Sequence, residues 1–183
     1  MTQDVCLVQS ALRKTKAGPK FAPCTRQQPP GNLRPAMPVL IAQTDADVRD
    51  CWPVISLLRP HLKADDFLPT VRRQFEEGYR LAFIRAGENV AVVAGFRVLH
   101  NLAWGRFCYV DDLVTDEQAR SRGLGAQLLE WLCVQARAEG CVRLELDSGV
   151  QRFAAHRFYL RHRMHISSHH FSLVLTEVAS QGP

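Results

Sequence analysis

What most restricts the fold of this chain is a short glycine turn, Arg120-Ser-Arg-Gly-Leu-Gly125, set between an apolar extended run and an amphipathic helical one. Phe107 to Thr115 has the β-branched and aromatic content of a strand. Beyond the turn, Leu124, Leu128, Trp131, Leu132 and Ala136 fall on one helical face, and Gly140 supplies a stop. Gly123 and Gly125 carry no Cβ, so the backbone there can turn tightly and approach a ligand closely. The first amides of the helix lack intrahelical partners, and the helix dipole favours negative charge beside them. With Arg120 and Arg122 flanking it, the turn predicts a phosphate seat.

Several phosphate-binding patterns can be weighed against this segment. The P-loop sequence G-x-x-x-x-G-K-S/T is nowhere in the chain. A dinucleotide fingerprint requires a third glycine where Leu128 stands, and Asp116 to Arg122 separate the turn from its strand. The pattern that fits is R/Q-x-x-G-x-G/A after the strand Asp112-Leu-Val-Thr115, which resembles the GCN5-related N-acetyltransferase (GNAT) superfamily. A second signature of that superfamily, N-x-x-A-x-x-F-Y-x-x-x-G-F, is matched at Ala155, Phe158 and Tyr159. Arg152, Arg163 and Met164 replace its asparagine, glycine and phenylalanine.

Taken along the chain, periodicity gives a strand at Val39–Ala42 and a helix opened by Thr44 and Asp47, an acidic form of the capping box. Pro53 is expected to kink or break that helix. A second helix runs from Asp65 to Glu77, with Phe67, Val71 and Phe75 at four-residue spacing. Strands follow at Arg80–Arg85, Val90–Leu99 and Trp104–Thr115, with Gly95 marking a bulge or a close backbone approach. After the glycine turn and its helix come a strand at Cys141–Asp147, a helix at Phe153–Arg163 and a last strand at Phe171–Glu177. The order is β-α-α-β-β-β-α-β-α-β from Met37 onward. This implies an α/β (α+β) fold of the GNAT type, with a mixed, mostly antiparallel central sheet flanked by helices.

The resemblance implies that the strand Leu113-Val114-Thr115 carries the pantetheine arm of acetyl-coenzyme A, with main-chain groups of Leu113 and Thr115 pairing with it. It implies that Arg120, Ser121, Arg122, Gly123, Leu124, Gly125 and Ala126 form the pyrophosphate site, through main-chain amides of Arg122 to Ala126. Arg152 and Phe158 are the coenzyme contacts expected from the second signature. Tyr159 is the expected general acid toward the coenzyme thiolate, since a phenol of ordinary pKa near 10 stays protonated at neutral pH. A general base is expected at Asp111, acting through water. The competing reading is that one of the pair, Asp111 or Asp112, caps or pairs structurally, and strand alternation puts the two on opposite faces. His156 is a weaker candidate. His162, His165, His169 and His170 do not form a convincing metal site, because His-x-x-x-His spacing would need helix past Met164. No metal is expected.

Composition narrows the partners. The net charge of +5 comes from residues 1–36, which hold six Lys/Arg and one acid; the remainder carries 17 of each sign. With its prolines and little periodicity, residues 1–36 read as a disordered basic extension, and 37–183 as the N-acetyltransferase domain. The balanced domain gives no argument for nucleic acid, and no apolar run reaches the ~20 residues of a membrane span. Six cysteines without C-x-x-C spacing, and no secretory leader, read as reduced thiols in a cytoplasmic protein. The expected activity is acetyl transfer from acetyl-coenzyme A, as co-substrate, to a primary amine of a small molecule or peptide within a ternary complex. The alternative is a coenzyme A-binding regulatory or sensor module whose catalytic residues have drifted. Paired subunits, a homodimer, are common in the family that the chain resembles.

Overall fold

The computed structural model describes residues 37–175. The expectation for residues 1–36 lies outside them. Strand β1 (Val39–Ile41) is followed by helices α1 (Asp45–Ile55) and α2 (Ala64–Glu76), then the meander β2 (Tyr79–Ala86), β3 (Asn89–Asn101) and β4 (Gly105–Thr115). A 3-10 turn at Glu117–Ala119 leads to α3 (Leu124–Ala138), β5 (Leu144–Leu146) and α4 (Phe153–Arg161). The sheet has the order β1-β2-β3-β4-β5, antiparallel up to β4, with β5 parallel to β4.

Period-two alternation in the meander builds a core on each face of the sheet. In β2, Ala82 and Ile84 join Phe96, Val110, Leu128 and Leu132 beneath α3. Their neighbours Leu81 and Phe83 join Val48, Cys51, Phe67 and Val71 beneath α1 and α2. Burial in the second core pushes the Cys51 thiol up to about 12, so it serves as a small apolar side chain.

Local signals account for the element ends. Thr44 Oγ1 accepts from the Asp47 amide at 3.2 Å, and Asp47 Oδ2 accepts from the Thr44 amide at 3.0 Å, the reciprocal box that starts α1. Those hydrogen bonds hold the Asp47 carboxyl below its ordinary pKa. Pro53 does not break α1 where it stands; the helix runs two residues further, to Ile55. The amide missing at Pro53 would have met the carbonyl of Arg49, an exposed residue, where solvent can serve. After α4 the chain turns at Arg163, which takes a left-handed φ of 63° where the second signature has glycine.

The expected order holds from Val39 to Arg161, but no last strand follows among the described residues. Phe171 to Leu175 pair with nothing in a ladder and are exposed, while Thr176 and Glu177 lie outside the described residues. Among the described residues, no helix is long and apolar enough to cross a membrane.

Candidate active site

Strand β4 changes register in its middle. Gly95 pairs with Asp112 and Phe96 with Val110, so Asp111 is an extra residue bulged out of the β3–β4 ladder. One inserted residue shifts the alternation, and the expected opposite placement of Asp111 and Asp112 is therefore wrong. Val110 and Leu113 pack toward α3. Both carboxylates turn to the other side. Asp112 accepts from the Tyr79 hydroxyl at 3.0 Å and from Arg59 Nε at 2.8 Å. Asp111 accepts from Arg97 Nε at 2.9 Å, and that guanidinium lies 5.4 Å from the centre of the Tyr79 ring.

Arg59 also donates to the main-chain carbonyl of Asp111 at 3.0 Å, tying the α1–α2 connector to the bulge. Burial raises the Asp111 pKa, against the opposing pull of Arg97. Asp112 has a donor on each carboxylate oxygen.

The bulge coincides with an opening in the sheet. The last β4–β5 pair is Val110 with Leu146, so from Asp111 to Thr115 the edge of β4 that faces away from β3 has no strand partner among the described residues. Leu113 packs into the α3 core and Val114 against the α1–α2 core, leaving main-chain groups to face the opening. A cleft of about 140 Å³ occupies the fork. Val110, Leu113 and Leu146 line it from the sheet, and Leu58 and Arg59 from the connector. Asp147, Ser148 and Gly149 line it from the β5–α4 loop, and Arg152, Ala155 and Tyr159 from the start and inner face of α4.

The glycine turn has the expected shape. Ser121 and Gly123 take left-handed φ values of 62° and 83°, and Gly123 is the N-cap of α3, with no side chain capping the first turn. The amides of Leu124, Gly125 and Ala126 thus open the helix without intrahelical partners. The Leu124 side chain is buried in the core, so that residue can offer only its backbone to a ligand. Arg120 and Arg122 are exposed, and Arg120 pairs with Glu117 at 3.2 Å.

Gly125 joins the two sequence signatures. A Cβ there would lie 3.1 Å from Thr115 Oγ1 and 3.9 Å from the Phe158 ring. Strand end, glycine turn and α4 meet at that point, with room for a backbone approach but little for a side chain. The geometry suits the diphosphate of a coenzyme at the turn and an extended arm along β4.

Tyr159 follows Phe158 on α4, and the two rings lie edge to face at 5.4 Å. Burial raises the Tyr159 pKa, opposed by the nearby charge of Arg152, so the hydroxyl keeps its proton at neutral pH and can donate. Arg152 is the exposed N-cap residue of α4 and reaches the cleft, whereas Phe158 faces Gly125. His162 packs on Phe158 at 4.5 Å, and His156 on Phe153. Among the described residues, no three His, Cys, Asp or Glu side chains gather as metal ligands would.

Sequence reasoning missed Arg59, Tyr79 and Arg97, the three residues that organise the two aspartates. It also missed Ser148, whose buried Oγ lines the cleft with no hydrogen-bond partner among the described residues. These contacts cross 14 to 53 positions of sequence and leave no local pattern.

Residues 43–163 match the acetyltransferase (GNAT) family. YhdJ of Bacillus subtilis (strain 168), described as an uncharacterized N-acetyltransferase, is 31% identical over 111 residues, covering 60% of this chain and 78% of that one. Aminoalkylphosphonate N-acetyltransferase of Salmonella typhimurium (strain LT2) is 38% identical over 85 residues, 45% of this chain and 53% of that one. Among solved structures, a ribosomal-protein-alanine N-acetyltransferase from Brucella melitensis biovar Abortus 2308 superposes with a TM-score of 0.66 at 14% identity, covering 75% of this chain and 99% of that chain. A transcriptional regulator from Bacillus halodurans C-125 gives 0.65 at 22% identity, with the same coverage of 75% and 99%. At these identities the two structures speak for the fold.

Proposed function

Because this chain belongs to the GNAT family of acetyltransferases, we propose that it transfers an acetyl group from acetyl-coenzyme A directly to a primary amine of a small molecule or peptide, with both substrates bound together. The observation that carries this reading is the meeting of Thr115, Gly125 and Phe158 at the head of α3, beside the free edge of β4. Bound there, acetyl-coenzyme A supplies an activated acetyl group as a thioester.

The chain's own groups divide the remaining work. Amides from Arg122 to Ala126, with Arg120 and Ser121 in the same turn, hold the pyrophosphate. Main-chain groups of Leu113 and Thr115, around Val114, align the pantetheine arm as a partner strand would. Tyr159, which keeps its proton because it is half-buried, donates to the departing sulfur. Asp111, at the bulge and in the cleft, takes a proton from the amine through water. Arg59, Asp147 and Ser148 offer polar contacts to the acceptor on the opposite wall. The thiols of Cys51, Cys108 and Cys141, none of them in a disulfide, support action in the reducing cytoplasm.

The deciding experiment is calorimetry with acetyl-coenzyme A on the wild type and on Gly123→Glu. Saturable binding that is lost in the variant is expected, since a carboxylate in a left-handed turn would both strain and repel at the phosphate seat. Undiminished affinity in the variant overturns the assignment of the seat. Binding without thiol release over a panel of amines would instead favour a coenzyme A-binding sensor.

A further inference from the structure

The cleft in the fork of the sheet holds charges of both signs, and they are not equally satisfied. Asp111 has Arg97 Nε at 2.9 Å. Asp147 accepts from the Tyr109 hydroxyl at 2.6 Å and lies 3.2 Å from His170 Nδ1. The Arg59 guanidinium is taken up by Asp112 and by the carbonyl of Asp111. Arg152 lines the same cleft, yet it has no ion pair and no side-chain hydrogen bond among the described residues. Ser148 Oγ, buried in the same wall, also lacks a partner there. A buried hydroxyl of this kind calls for a partner, and a guanidinium fork presents paired donors matched to an oxyanion.

We propose that Arg152 and Ser148 form an acceptor subsite for an anionic oxygen group, and that the amine acetylated here is a small molecule carrying a carboxylate or similar oxyanion a short chain away from its nitrogen. This assignment rests on the reading of the cleft as the site of acetyl transfer.

Position along α4 separates the subsite from the phosphates of the coenzyme. Arg152, Ala155 and Tyr159 follow one another at spacings of three and four, which puts them on one helical face, and all three line the cleft. Phe158 is the α4 residue beside Gly125 and the phosphate seat. Six residues at 1.5 Å each carry Arg152 about 9 Å along the axis, away from that seat and toward the β5–α4 loop. The glycine turn has arginines of its own, Arg120 and Arg122, for the diphosphate.

Size limits the acceptor. Asp111, Ser148 and Arg152 share a cleft of about 140 Å³, the volume of roughly five water molecules. An amine directed to Asp111 and an anion on Arg152 fit together there only if few atoms join them. A second cation on the acceptor has no comparable seat, because Asp111 and Asp147 already hold donors. The N-terminus of α4, with no side chain capping it, adds positive potential on the same wall.

The test is thiol release from acetyl-coenzyme A with glycine, 3-aminopropanoate and 4-aminobutanoate, each against its amide, and with propane-1,3-diamine. Adding 2-aminoethanesulfonate, against its sulfonamide, separates a tetrahedral anion from a planar one. At least one anionic amine should exceed its uncharged counterpart about tenfold or more in kcat/KM. Arg152→Met should erase that preference through KM, with the affinity for acetyl-coenzyme A by calorimetry held within about twofold, and Ser148→Ala should reduce it. No preference, or faster turnover of the amides or the diamine, overturns the subsite, as does a preference that survives in Arg152→Met. Loss of coenzyme affinity in Arg152→Met beyond about tenfold also overturns it, since the guanidinium then serves the coenzyme. If no amine releases thiol, it is the acetyl-transfer reading that fails. Calorimetry of the same acids and amides on the coenzyme A-loaded protein then decides the subsite: acid-selective binding that Arg152→Met removes upholds it, and the lack of such binding overturns it.

Discussion

Tyr79 crosses β3 at Gly95 so closely that a Cβ on Gly95 would fall 1.7 Å from the Tyr79 hydroxyl oxygen and 2.3 Å from Cζ. Gly95 is also the residue paired with Asp112 at the bulge, so one missing side chain lets the phenol reach the carboxylate. Gly95→Ala should force the ring aside and break that hydrogen bond. The expected loss is about 2–4 kcal/mol, from overpacking and from a partly buried carboxylate short of one donor. Urea denaturation measures it. In a Tyr79→Leu background the same change should cost about 1 kcal/mol or less, because the two residues are in contact.

The acid limb of kcat/KM should report Asp111. Burial favours the protonated carboxyl and raises its pKa above the ordinary value, so the base form disappears at a higher pH than for an exposed aspartate. Arg97 opposes that shift. Removing its charge in Arg97→Gln should raise the pKa further and move the limb to higher pH. Asp112, Arg59, Tyr79 and Tyr109 also face this carboxylate, and they are unchanged in the comparison. A pH–rate series on the two proteins checks the direction; a limb that does not move removes Asp111 from the role of base.

Tyr159→Phe removes one oxygen and leaves the ring packed against Phe158. A lost general acid costs roughly 100-fold or more in kcat, with the affinity for acetyl-coenzyme A held within about twofold. Stopped-flow thiol release and calorimetry separate the two quantities.

Arg163 stands in a left-handed conformation that costs a residue with a Cβ about 1–2 kcal/mol. Arg163→Gly should relieve this, less the entropy that glycine adds to the unfolded chain, for a net gain of about 0.5–1 kcal/mol. A scan of melting temperature should show a rise of about 1–4 °C.

The position of Arg163 was legible in the sequence, because it stands where the second signature calls for glycine. So were the glycine turn, the capping box of α1 and Gly95, each written in residues adjacent along the chain. The faces of Asp111 and Asp112 were not. Alternation is a local rule, and the inserted residue that overturns it is fixed by Gly95 and Tyr79 on two other strands. Arg59 escaped for a similar reason, since an arginine in a connector carries no sign that it will reach a carboxylate 53 positions away. The strand expected at Phe171–Glu177 does not form over 171–175, because the composition of a strand supplies no partner edge.

The central sheet also works as a partition. Helix α3 and its glycine turn belong to one side, helices α1 and α2 to the other, and consecutive residues Leu113 and Val114 anchor in different layers. Redesign of α1 and α2 can therefore proceed as a grafting problem. Provided that an arginine is kept at position 59 to hold the bulge, foreign α1–α2 pairs can be exchanged on one side while α3 and its glycine turn are left as they are.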